Sequence, residues 1–186
     1  TVNQLVLAAS VLKALNVKSN VKFDVNKFWQ HAIGVGVCGE TIAKSIKHKT
    51  PSDFFTAGLI HDIGKMAQFV LDPKLFVEIL EKAAADKISY NEAEIVLDCP
   101  RHEVIGMMLT RKWNLPALIQ TCINFHHKKD LDDRKQVSGE LNQAVDIVYI
   151  SNILVHALQF GFSGHSKVLG LPKPILQRLG IEQTAL

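Results

Sequence analysis

The stretch Phe54-Phe55-Thr56-Ala57-Gly58-Leu59-Ile60-His61-Asp62-Ile63-Gly64-Lys65 sets the reading of this chain. A histidine and an aspartate stand side by side at the end of an apolar run. Burying a carboxylate next to an imidazole is costly unless something compensates. Neutral imidazole and carboxylate together suit a divalent cation. A single His-Asp pair carries little weight, but the chain also offers His31 upstream and His102, His126, His127 and Asp146 downstream. All but Asp146 lie beside helix signals, and the groups are tens of residues apart. A helical bundle gathers ligands from several helices in this way.

Working outward, the pattern is helical nearly throughout. Thr1 to Leu15 reads as an apolar helix, and Lys27 to about Lys47 as a second one. Gly34, Gly36 and Gly39 lower helix propensity in the second, which points to close contact with a neighbour. Thr50-Pro51-Ser52-Asp53 is a start signal, with an N-cap residue, proline at the first helical position and an acid in the first turn. The helix opened there is expected to carry both His61 and Asp62. Asp72-Pro73 opens another by the same logic, and Ser89-x-x-Glu92 has the form of a capping box. Pro100 breaks the pattern, so a new helix carries His102. Pro116 starts the helix that ends at His126-His127. Lys128 to Glu140 reads as a charged loop, Leu141 to Phe160 as helix, Gly161 to Gly170 as a turn region, and Pro174 to Leu179 as a short helix stopped by Gly180. No strand alternation and no internal repeat is visible. The expected fold is all-α.

Composition excludes several classes. The 186 residues suffice for one domain with a real core. No apolar run approaches the ~20 residues of a membrane span. Cys38, Cys99 and Cys122 are odd in number and make no Cys-x-x-Cys pair, so they read as reduced core thiols, and a cytoplasmic location is expected. A net charge of +3 tolerates an anionic ligand, but no basic stripe with interleaved aromatics marks a nucleic-acid binder.

His31, His61-Asp62 and Asp146 together resemble the ligand quartet of the HD superfamily of metal-dependent phosphohydrolases. The flanking text is closer still to one bacterial branch, the HDOD domain. The matching stretches are Phe28-Trp29-Gln30-His31, Ala57 to Lys65, His102-Glu103-Val104-Ile105-Gly106, Trp113-Asn114-Leu115-Pro116 and His126-His127. The resemblance implies an HD-type bundle in which His31, His61, Asp62 and Asp146 hold a first ion. Asp62 would bridge to a second ion held by His102, His126 and His127. One or two ions of Fe, Mn, Ni, Co, Zn or Mg are expected. The two-ion part is similar to that of the HD-GYP phosphodiesterases, with two departures. Lys128-Lys129-Asp130 follows the histidine pair where Gly-Tyr-Pro would stand, and Lys27 stands where some relatives place an acidic ligand. HDOD proteins usually carry a further helical portion before the segment that matches Thr1 onward. The resemblance therefore implies that this chain is the ligand-bearing half of a larger domain, with Leu5 and Leu12 facing the missing half or a second copy.

Two roles follow from this set. One is metal-assisted hydrolysis of a nucleotide-like phosphoester, in which Asp62 works at the ion and Lys65, on the same face three residues later, holds a phosphate oxygen. The other is a signalling module that keeps its ligands, binds a phosphate-containing ligand and acts through other signalling domains. Each residue also has a structural reading. His61 and Asp62 could form a buried ion pair, His31 could be a packed helix residue, and His126 and His127 could answer a helix dipole. Trp29 and Trp113 read as core anchors. Glu92, Glu94 and Glu103 read as capping or surface residues, with Glu103 able to support His102. His156 and His165 have no companions at ligand spacing.

Overall fold

A computed structural model describes residues 23–181. The expected Thr1–Leu15 helix lies outside them. Among the described residues there are nine α-helices, one short 3-10 helix and no strand. They are α1 (Val25–Ser45), α2 (Pro51–Ile60), α3 (Ile63–Leu71), α4 (Pro73–Asp86), α5 (Tyr90–Val96), α6 (His102–Lys112), α7 (Ala117–Phe125), the 3-10 turn Leu131–Arg134, α8 (Gly139–Ala157) and α9 (Lys173–Leu179). The fold is all-α, and no described helix is long and apolar enough to cross a membrane.

Local chemistry explains most boundaries. The Asp24 side chain accepts from the Asn26 and Lys27 amides and starts α1. Asp72 accepts from the Leu75 amide while Pro73 fills the first position of α4. Ser89 and Glu92 form the expected reciprocal capping box on α5. Gly180, at φ 65°, ends α9 in the left-handed region. Thr50 behaves differently from its reading. It makes no side-chain cap, and Pro51 at the first position and Asp53 in the first turn mark the start of α2.

Two close helix contacts aim the site. A Cβ on Gly58 would meet the Gly36 backbone at 2.6–2.7 Å, so α2 lies directly against α1. A Cβ on Gly64 would collide with the His102 carbonyl, so α3 meets the start of α6 backbone to backbone. Only glycine allows this approach. Helix α8 runs through the middle, packed against α1, α2, α7 and α9. Its Ala144, Ile147, Val148 and Ile150 are fully buried with Phe54, Ile63 and Ile123. Phe23, Phe69 and Phe76 close one end, with ring centroids 4.8–5.4 Å apart. Trp29 packs against this core, but Trp113 is 42% exposed and anchors nothing.

The described cysteines are all free thiols, and Cys122 is buried. The Lys128–Glu140 segment is more ordered than its charges suggest. It contains the 3-10 turn, and Arg134 within it is 1% exposed.

Candidate metal centre

The decisive local feature is a break in the helix. Helix α2 stops at Ile60, and α3 begins at Ile63. His61 and Asp62 therefore form a two-residue junction rather than part of one helix. Neighbours on an unbroken helix point about 100° apart. The junction removes that constraint, and His61 Nε2 lies 3.3 Å from Asp62 Oδ2.

Four more histidines converge on this pair. His31 comes from α1, and its ring centre lies 5.7 Å from that of His61. His102, at the first position of α6, and His126, just past α7, each bring Nε2 to 3.3 Å from Asp62 Oδ1. His127 Nε2 lies 3.0 Å from His102 Nε2. Two ligand-type sets share Asp62. One is His31, His61 and Asp62, and the other is Asp62, His102, His126 and His127. All are buried except His127, which is partly exposed.

Their rings are held from behind. His61 Nδ1 is 2.6 Å from the Gly58 carbonyl oxygen, and His126 Nδ1 is 2.7 Å from that of Ile123. A carbonyl only accepts, so both Nδ1 atoms carry the proton and the Nε2 lone pairs face Asp62. His102 Nδ1 sits 2.7 Å from Glu94 Oε2. Lone pairs of imidazole and carboxylate thus face one another in a dry core. Asp62 Oδ1 and His61 Nε2 have no hydrogen-bond partner among the described residues. Leaving such atoms buried and unmatched costs free energy, and a cation between them removes the cost. The donor set of imidazole and carboxylate without thiolate fits a divalent transition metal.

The electrostatics agree. Burial opposes the charge on Asp62, but His61 and Lys65 beside it outweigh that and hold its carboxyl well below the usual range. Burial keeps His31, His126 and His127 neutral, with pKa values pushed down further by neighbouring histidines. His102 is the exception. Burial lowers its pKa, yet Glu94 and Asp62 more than reverse this and raise it to about 9. The carboxylates around His102 demand a cation, and a proton or a divalent ion can supply it.

Lys65 reaches the centre, but not as an open anion donor. Its Nζ donates to Asp62 Oδ2 at 2.7 Å and to the Ser163 carbonyl at 3.0 Å, and lies 4.9 Å above the Tyr90 ring. At 2% exposure it is the counter-ion of Asp62.

Asp146 corrects the sequence reading. It belongs to neither ligand-type set and is clasped by two guanidiniums. Arg134 Nη2 donates to its Oδ1 at 2.7 Å, and Arg178 Nε donates to its Oδ2 at 2.7 Å. One and two-thirds turns further along α8, Asn152 faces the centre instead, with Oδ1 2.9 Å from His31 Nε2. An amide faces His31 where a carboxylate, the fourth ligand of the quartet, was expected.

Glu94 is the other residue that sequence reasoning missed. It is fully buried and accepts from the His102 amide at 2.8 Å, besides holding the ring. Gln68 donates to its Oε1 at 2.7 Å, and Tyr90 donates to Gln68 at 3.0 Å. Glu103 lies beside His102 Nδ1 at 3.6 Å, with Asn91 holding it. His156 and His165 do have companions. The His156 ring centre lies 4.5 Å from that of His31 in a tilted pair, and His165 stacks on His156 at 4.3 Å. They line a cavity of about 850 Å³ together with Lys27, Gln30, His31 and Gln159.

The HDOD domain family matches residues 1–129. An HDOD domain protein of unknown function from Geobacter sulfurreducens shares the fold at a TM-score of 0.80, with 21% identity over 95% of this chain and 59% of that one. The response regulator MmoQ from Methylococcus capsulatus str. Bath aligns at 0.64, with 20% identity over 87% and 59%. A protein provisionally described as a phosphohydrolase from Shewanella amazonensis SB2B aligns at 0.63, with 23% identity over 96% and 62%. An uncharacterized Treponema pallidum (strain Nichols) protein is 26% identical over 54% of this chain. The chain spans a fifth of that relative and about three-fifths of each solved chain.

Proposed function

Because this chain belongs to the HDOD family, we propose that it works as a metal-binding regulatory domain of phosphohydrolase descent. One observation carries the reading. Asp62 Oδ1 is buried without a hydrogen-bond partner among the described residues, while His102 and His126 face it with Nε2 at 3.3 Å. A divalent ion held there by Asp62, His102, His126 and His127 would supply charge neutralisation and Lewis-acid polarisation of a phosphoryl oxygen.

The chain's own residues set the rest. Glu94 and the Gly58 and Ile123 carbonyls fix ring orientation. Lys65 neutralises one side of Asp62. Asn152 contributes no charge where the catalytic relatives' pattern calls for a carboxylate, and Lys65 commits N–H donors to Asp62 and the Ser163 carbonyl. Both features favour regulation over turnover. The fold likeness to a response regulator fits this role. Its partners would be other signalling domains, a further copy of this chain and a phosphate-containing ligand, and the compartment would be the bacterial cytoplasm.

A second reading has one observation in its favour. The cavity that opens onto His31 is large enough for a nucleotide-sized phosphoester, and the fold likeness extends to a protein described as a phosphohydrolase. The test begins with elemental analysis of protein purified without a nickel column, followed by a panel of phosphoesters. The regulatory reading expects co-purifying transition metal, a lower Tm after chelation and no hydrolysis above a chelated control. Hydrolysis abolished by Asp62→Asn would favour the second reading. A folded chain that takes up no metal would sink both.

A further inference from the structure

We propose that the centre holds a single divalent ion, on the Oδ1 side of Asp62, and that the Lys65 ammonium replaces a second ion on the Oδ2 side. This rests on the metal-binding reading above. The two oxygens of Asp62 have different surroundings. Oδ1 has no hydrogen-bond partner among the described residues and faces two ring nitrogens, with His127 Nε2 beside them. Oδ2 already accepts from a buried ammonium at 2.7 Å.

That ammonium is fixed in place. The Ser163 carbonyl takes a second N–H, the Tyr90 ring face lies 4.9 Å away, and the side chain is almost wholly buried. A dication at Oδ2 would need to expel it or share the oxygen with it, and like charges at this distance in a dry core repel strongly.

The ligand count on the Oδ2 side is also short. His31 Nε2 sits 2.9 Å from the Asn152 amide oxygen, which accepts, so this ring nitrogen carries a proton and offers no lone pair. His61 Nε2, on the same side, is buried without a hydrogen-bond partner among the described residues. With His31 Nε2 engaged by Asn152, one free imidazole Nε2 and one shared oxygen fall below the three or four protein ligands that hold a transition metal. The Oδ1 side offers three imidazoles and a carboxylate oxygen, with Glu94 behind His102. Lys65 and Asn152 are thus positioning residues that set how many ions bind.

The test reads metal content and ion coupling, not activity. Full-length protein is loaded with Mn²⁺, dialysed, and measured by elemental analysis and by electron paramagnetic resonance. The wild type is expected to hold about one ion per chain with the spectrum of an isolated Mn²⁺. His31→Ala should keep that ion, and His102→Ala should lose it. Lys65→Met combined with Asn152→Asp should raise the content toward two ions and give a coupled spectrum. Because the double variant could fail to fold, the wild-type spectrum stands as an independent arm. Two coupled ions in the wild type would overturn this inference and leave the metal-binding reading intact. Loss of the ion in His31→Ala would overturn it as well. No bound ion in the wild type would overturn both.

Discussion

Asp62 and Asp146 are each 1% exposed, yet they sit in opposite situations. Asp146 is matched on both oxygens by Arg134 and Arg178, three hydrogen bonds in all. Asp62 is matched on one oxygen by Lys65, while the other faces histidine nitrogens and no donor in hydrogen-bonding geometry. A buried carboxylate is therefore not in itself the mark of a site. What distinguishes the site is the shortfall in what the chain supplies around it. A structural ion pair closes its own account, and a ligand-binding carboxylate is left open.

The largest expected effect tests the closed side. Asp146→Ala leaves the Arg134 guanidinium buried and uncompensated, which should cost about 3–5 kcal/mol. Urea denaturation measures it, and metal content per folded chain should stay unchanged. A loss of metal with no loss of stability would reverse the roles assigned to the two aspartates.

A smaller effect belongs to the open side. Glu94→Gln keeps the shape of the side chain but removes the charge that orients and polarises His102. Changes of this type cost about 10–100-fold in metal affinity. Competition against a chelator reads this, and Asp146 variants should show no comparable shift.

Acid should act through the histidines near the open side and not through the arginines of the closed one. His156 and His165 are held neutral by burial, with pKa values lowered to about 4 and about 3. Their unfolded-state value is about 6.5. As pH falls below that, the unfolded chain binds protons first, so stability rises with pH in this window and is lost on acidification. Moving from pH 7 to pH 6 should cost about 0.7 kcal/mol for each such histidine. Urea midpoints of chelated protein at the two pH values give the number. His156→Phe should flatten the slope, whereas substitutions at Arg178 should leave it unchanged, since guanidinium does not titrate there.

The comparison also explains what the sequence could disclose. The helices were legible because their caps are local, as in Asp72-Pro73 and the Ser89–Glu92 box. His61, Asp62 and the other histidines were legible as a group because an apolar setting makes each of them unusual. Asp146 looked like part of that group for the same reason, but its partners are a loop arginine and one 32 residues away, which only folding brings together. Asn152 is six residues further on the same helix, about 240° around it, and an amide carries no signal of its own. Glu94 was hidden because its partner lies across the Pro100 break, and a single acid near a cap ordinarily faces solvent. The junction at His61-Asp62 was hidden too. Gly58 and Gly64 hint at close approach, but neither marks the end of a helix.

The central claim is that Asp62, His102, His126 and His127 hold a divalent cation. Anomalous diffraction from crystals grown with Mn²⁺ or Co²⁺, recorded on either side of the metal edge, tests it most directly. The account predicts one strong peak within bonding distance of Asp62 Oδ1 and the Nε2 atoms of those three histidines, absent in Asp62→Asn. Well-ordered crystals with no peak among these side chains, or with the peak at Asp146, would contradict it.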